Sequence, residues 1–167
     1  ARPDKMTFSP DASQLAVGTD TYVALWSVPD GELQVALPTG NGGVSEVMKY
    51  SPDGRYLLTG GIPESILLWD TSEYRMAGAL PNTGGDRLGA AFSPDGNLLL
   101  TTLWGGATVL WDLTTLTEQT VNRAALDTPS RQIINVDWTA DGFSLILIDA
   151  SGPVYVWGIG EVFEPEP

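Results

Sequence analysis

Tyr50-Ser51-Pro52-Asp53-Gly54-Arg55-Tyr56-Leu57-Leu58-Thr59-Gly60, closing at Leu68-Trp69-Asp70, decides the fold. It reads as an aromatic residue, a tight turn, an apolar strand, a loop, and a second strand ending in Trp-Asp. Proline presets φ for the second position of a turn and aspartate bonds nearby backbone, so the hairpin is set locally. The phrase occurs four times. Aligned on the aromatic before the turn, the anchors are Phe8, Tyr50, Phe92 and Trp138, spaced by 42, 42 and 46 residues. Aligned on the tryptophan, they are Trp26, Trp69, Trp111 and Trp157, spaced by 43, 42 and 46. Two independent anchors that keep one period identify a true internal repeat.

Each unit reads as a four-stranded meander. In the first, strands are expected at Lys5 to Phe8, Leu15 to Gly18, Thr21 to Ser27 and Leu33 to Leu37. The second is the cleanest: Val44 to Tyr50, Arg55 to Thr59, Ser65 to Asp70 and Arg75 to Leu80. The third gives Arg87 to Phe92, Asn97 to Thr102, Thr108 to Asp112 and Glu118 to Asn122. The fourth gives Ile133 to Trp138, Phe143 to Asp149 and Val154 to Trp157. A further strand there could begin only in Glu161-Val162-Phe163-Glu164. The second strands are apolar almost throughout, as in Leu98-Leu99-Leu100 and Leu145-Ile146-Leu147-Ile148. Alternation fails because both faces are buried. A small sheet covered on both faces and repeated at a fixed period is stacked between copies of itself, which is a propeller blade. The expected architecture is all-β, with blades at about 1–38, 39–81, 82–126 and 127–164, and an acidic Pro-rich tail over 161–167.

Bulk composition excludes much. The chain has 167 residues, which suits one domain, and an ordinary apolar fraction. It has no run near the ~20 apolar residues that span a bilayer as a helix, so no membrane insertion is expected. Cysteine is absent, which removes disulfides and thiolate chemistry. Histidine is absent too, which removes the commonest general base and metal ligand. A net charge of −13 repels phosphate backbones, so nucleic acid is not an expected partner. The lack of cysteine fits any compartment, and a cytoplasmic placement is the default expectation.

The repeat resembles that of the WD40 family. The resemblance rests on the Ser-Pro-Asp-Gly turns at 51–54 and 93–96 and on the strand ends Trp69-Asp70 and Trp111-Asp112. Units one and four are degenerate, with Ser27 and Gly158 where the Asp of Trp-Asp would stand. The family often carries a Gly-His pair whose histidine joins a buried network with a turn Asp, a Ser or Thr, and the Trp. Without histidine that network cannot be complete in any blade. The resemblance implies a non-enzymatic scaffold for protein–protein interaction.

Four blades closing a circle would each splay by about 90°, the widest splay in the range of ~4 to 8 blades. That needs bulky wedges, whereas the first strands carry Gly89, Ala90 and Ala91 in one unit and Met6 and Met48 in others. The expectation is therefore an incomplete ring. It could be part of a larger propeller, pair with a second copy as four plus four blades, or be completed by another subunit. A closed four-bladed monomer is the remaining case.

No catalytic constellation survives inspection, and no cofactor or metal is expected. The recurring carboxylates (Asp11, Asp53, Asp95, Asp141, Asp70, Asp112) sit in turns or at strand ends. There is no calcium-loop spacing, and the glycine pairs lack a following lysine and helix. An enzyme whose site needs further blades is the weaker alternative. Binding is better supported, on the face shared by the loops between second and third strands and between successive units. There the candidate partner-binding residues are Asp20, Ile62, Glu64, Arg87, Trp104 and Arg131. Trp104 lies outside the repeat pattern, and tryptophan and arginine dominate interface hot spots.

Overall fold

The computed structural model describes residues 5–39, 47–60, 66–80, 89–102, 108–116, 122–126 and 133–158. The first meander is β1 (Lys5–Phe8), β2 (Gln14–Gly18), β3 (Tyr22–Ser27) and β4 (Leu33–Pro38). The second is β5 (Val47–Tyr50), β6 (Tyr56–Gly60), β7 (Ile66–Asp70) and β8 (Arg75–Leu80). The third is β9 (Ala90–Phe92), β10 (Leu98–Thr102), β11 (Thr108–Asp112) and β12 (Asn122–Leu126). The fourth is β13 (Ile133–Trp138), β14 (Ser144–Asp149) and β15 (Val154–Gly158). Each is an antiparallel sheet in chain order, of four strands in the first three and three among the described residues of the last. These are propeller blades. The chain divides into two compact units, one holding blades 1 and 2 and the other blades 3 and 4.

One turn chemistry starts every blade. In blade 2 the Ser51 hydroxyl donates to Asp53 at 2.6 Å and accepts from the Tyr56 N–H at 2.9 Å. Asp53 also accepts from the Arg55 N–H at 3.0 Å. The Gly54 N–H closes the turn on the Ser51 carbonyl at 2.9 Å. The same set recurs with Ser9 and Asp11, Ser93 and Asp95, and Thr139 and Asp141. The fourth turn position is left-handed throughout, with φ of +74° at Gly54, +75° at Gly96 and +76° at Gly142. Blade 1 places an alanine there, Ala12, at φ +57°.

Register sorts each blade into two faces. One bears the repeat tryptophan: Tyr50, Leu57 and Trp69 lie opposite one another, as do Met48, Thr59 and Leu67. This tryptophan face of blade 2 packs on Ala16, Val23, Leu25 and Leu37 of blade 1. In the second unit the tryptophan face of blade 4 (Val136, Trp138, Leu145, Leu147, with Tyr155 and Trp157) packs on Ala91, Leu100 and Leu110 of blade 3. The Trp138 indole N–H also donates to the Ala91 carbonyl at 3.1 Å. The small first strand of blade 3 permits this approach. A Cβ on Gly89 would stand 2.9 Å from the Thr102 hydroxyl and 3.0 Å from the Asn135 Cα.

Two of the four repeat tryptophans have a buried hydroxyl partner. The indole N–H of Trp69 donates to the Thr59 hydroxyl, and that of Trp111 to Thr101, each at 2.8 Å. Register puts Val17 and Leu147 at the corresponding positions of blades 1 and 4. Trp69 and Trp111 are buried, whereas Trp26 and Trp157 are half-buried.

One strand departs from the sequence reading. The last strand of blade 3, expected at Glu118 to Asn122, is Asn122–Leu126, with Asn122 opposite Asp112. Asp112 accepts from the Thr114 N–H at 3.0 Å and caps a 3-10 turn at Leu113–Thr115. Residues 71–74 connect the third and fourth strands of blade 2, whereas residues 113–121 connect those of blade 3. First strands expected from Val44 and Arg87 are described from Val47 and Ala90, and the segment Glu161 to Glu164 lies outside the described residues.

The left-handed turn position generates a paired prediction. An L-residue there costs ~1–2 kcal/mol, partly offset by the greater freedom of glycine in the unfolded chain. Ala12→Gly is expected to stabilise the protein by ~1 kcal/mol, and Gly54→Ala to destabilise it similarly. A Cβ at Gly54 meets only ordinary contact, 3.6 Å from the Pro10 Cδ, so the cost is conformational. Urea unfolding checks this, and shifts of the same sign for both variants would refute it.

Candidate functional site

Antiparallel connectivity places the β1–β2 and β3–β4 turns of blade 1 at one end of its sheet, and the β2–β3 loop at the other. Blade 2 repeats this. At the turn end of the first unit, a groove of about 490 Å³ opens between the two blades. Ser9, Pro10, Asp11 and Gln14 line one side, and Pro52, Asp53, Gly54 and Thr71 the other. Thr71 is fixed by its hydroxyl, which donates to the Gly54 carbonyl at 2.6 Å.

Beside the groove, Gln14 ties the blades together. Its side-chain amide donates to Gln34 at 3.0 Å and to the Tyr74 hydroxyl at 3.3 Å, and its carbonyl accepts from the Tyr50 hydroxyl at 3.3 Å. Tyr74 donates in turn to Gln34 at 3.2 Å. Tyr74 holds a left-handed backbone, φ +53°, at the β7–β8 turn. Burial, reinforced by the neighbouring Tyr74 and Asp11, pushes the Tyr50 hydroxyl up to about 12, so it stays protonated and donates.

The groove carboxylates are acceptors. The Ser9 hydroxyl foremost, then the Ser13 N–H and hydroxyl, hold the Asp11 carboxyl down at about 2. Ser9 is committed to the turn, as its counterparts are in the other blades, so it is no activated nucleophile. An ionised carboxylate beside two prolines can bind a cation or a donor, and it has no proton to give near neutrality. Among the described residues, no cluster of three or more acidic side chains is placed to hold a metal ion.

The opposite, loop end is where the sequence placed its candidates. Asp20 is exposed in the bend between β2 and β3, next to Thr19, whose hydroxyl donates to the Tyr22 carbonyl at 2.9 Å. Ile62, Glu64, Arg87, Trp104 and Arg131 lie outside the described residues. In the corresponding loop of blade 4, Asp149 is buried and accepts from the Ser151 N–H at 2.7 Å and its hydroxyl at 2.5 Å. Sequence reasoning missed the Gln14–Tyr50–Tyr74–Gln34 cluster. Its one available signal was the long polar Gln14 opening a strand whose counterparts open with Tyr56, Leu98 and Ser144.

Residues 32–70 match the family model of the WD domain, G-beta repeat. Among curated proteins, none matches the sequence. Among solved structures, the fold is similar to the β-propeller domain of Cps50 (Swd1) from Myceliophteria thermophila, with a TM-score of 0.78 at 20% identity. The match covers 93% of this chain and 52% of that one, so the chain spans about half the length of that propeller domain.

The turn aspartates set an acid limit. Asp11, Asp95 and Asp141 are each held below the ordinary carboxylate value, chiefly by the hydroxyls of Ser9, Ser93 and Thr139. The unfolded chain therefore binds more protons than the folded one between the ordinary value of 3.8 and the lowered values, about 2 for Asp11. This stabilisation is fully present above the ordinary value and is lost as pH falls through the lowered ones. The melting temperature is expected to fall steeply below about pH 4 and to fall less in Asp11→Asn. A melting temperature that stays level from about pH 4 to pH 2 would contradict the turn account.

Proposed function

We propose that this chain, four blades of a WD40-type β-propeller, is a non-enzymatic scaffold for protein–protein interaction that works within a larger ring. The observation that carries the reading is the match over 93% of the chain to 52% of a propeller domain. It fits a run of blades whose neighbours lie beyond these four. The surface supports binding rather than turnover. The recurring carboxylates are spent in turns, and the composition holds neither histidine nor cysteine. A protein partner is assigned to the loop end, through Asp20, Ile62, Glu64, Arg87, Trp104 and Arg131. The net charge of −13 favours a partner with a basic contact surface.

The full-length protein is expected to bind its partner stoichiometrically. Trp104→Ala is expected to weaken that binding ~10-fold or more, equivalent to ~1.4 kcal/mol, at unchanged melting temperature. Isothermal titration together with thermal melts checks both. Undiminished binding at unchanged stability removes Trp104 from the contact surface.

A further inference from the structure

The groove at the turn end of the first unit carries negative charge and rigid walls. Its lining includes the carboxylates of Asp11 and Asp53 and no cationic side chain. In each carboxylate the turn takes only one oxygen. Asp11 Oδ1 accepts from the Ser9 hydroxyl at 2.6 Å, the Ser13 N–H at 3.0 Å and the Ser13 hydroxyl at 2.9 Å. Asp53 Oδ1 accepts from the Ser51 hydroxyl at 2.6 Å and the Arg55 N–H at 3.0 Å. The Oδ2 of each accepts no hydrogen bond from the described residues. This is not a rule of the repeat, because in blade 3 the Asn97 side chain donates to Asp95 Oδ2 at 2.9 Å. Arg55 sets its guanidinium over the Tyr56 ring, 4.9 Å from the centroid, and no ion pair joins it to Asp53 among the described residues.

We propose that this groove seats an arginine side chain of a partner protein between the carboxylates of Asp11 and Asp53. The inference adds a second contact surface to the scaffold reading, and it rests on that reading only in taking the occupant to be a protein. Three features favour arginine. Its planar guanidinium carries donors on several sides, enough for carboxylates that approach from opposite walls. Pro10 and Pro52 line those walls with rigid apolar rings that suit the aliphatic stem, and a volume of about 490 Å³ admits a long side chain. The walls are already ordered: Gln14 is held by Gln34, Tyr50 and Tyr74, and Thr71 by the Gly54 carbonyl. Binding therefore does not spend free energy on fixing them. The chain's charge of −13 steers a basic segment toward the protein.

Titration of the full-length protein with a blocked Leu-Arg-Leu tripeptide tests the proposal, against the same peptide with citrulline in place of arginine. Amide NMR shifts are expected to move at Ser13, Gly54 and Thr71 and to stay in place at Asp20. The citrulline peptide is expected to bind ~10-fold more weakly or worse, and salt to weaken the arginine peptide. Asp53→Asn keeps an oxygen for the Ser51 and Arg55 bonds and is expected to weaken binding by a similar factor. Ser13→Lys changes an exposed side chain, leaves both aspartates in place and is expected to block the groove with its own ammonium. Circular dichroism checks that both variants are folded. A citrulline peptide that binds as well overturns the proposal. So does full affinity in folded Ser13→Lys, or a set of shifts confined to the loop end. Calcium chloride that moves the same amides at lower concentration than the peptide overturns it in favour of an inorganic cation. Partner binding that responds to Trp104→Ala while the arginine peptide stays silent would leave the scaffold reading standing while this surface fails.

Discussion

A sheet with apolar side chains on both faces is stable only between two other layers. That constraint governs this molecule. The second strand of blade 2, Tyr56–Gly60, is buried at every position, so no face of it is left for water. At ~25 cal/mol per Å² of apolar surface, such burial outweighs any single hydrogen bond in the blade. Periodicity, small first strands and the tryptophan faces all serve the same end, because each blade must present one surface that fits the back of another.

Hydrogen bonds specify what burial alone leaves loose. The serine or threonine hydroxyl of each turn bridges an aspartate and the second strand, which sets register at the start of every hairpin. Where the buried indole N–H has a threonine partner, as in Trp69 with Thr59 and Trp111 with Thr101, the tryptophan sits deep. Where Val17 or Leu147 replaces it, the indole stays part-exposed and can meet water. An unpaired indole N–H sealed from solvent would cost ~1–3 kcal/mol, so partner and depth change together.

The blades were legible in the sequence because their signals are local. A Ser-Pro-Asp-Gly turn and a Trp-Asp end lie within about twenty residues of each other in units two and three, and units one and four repeat them in degenerate form at the same period. The last strand of blade 3 was misplaced because the connection from Asp112 to Asn122 is longer than that from Asp70 to Arg75, and no periodic signal reports its length. The site was far less legible. Gln14, Tyr50, Tyr74 and Gln34 meet through blade stacking, across separations of up to sixty residues. Nothing in their spacing announces it. The loop candidates were chosen from topology and residue type, since loops carry no repeat pattern to constrain them.

The stacking also has a direction. Each described tryptophan face looks back toward the blade made before it: blade 2 covers blade 1, and blade 4 covers blade 3. During synthesis the amino-terminal blade of each pair emerges first, with its turn closed by bonds spanning five residues or fewer. When the next blade leaves the ribosome, its receiving surface is already built. Assembly can therefore follow the order of translation, and each pair needs only one long-range search to find its place.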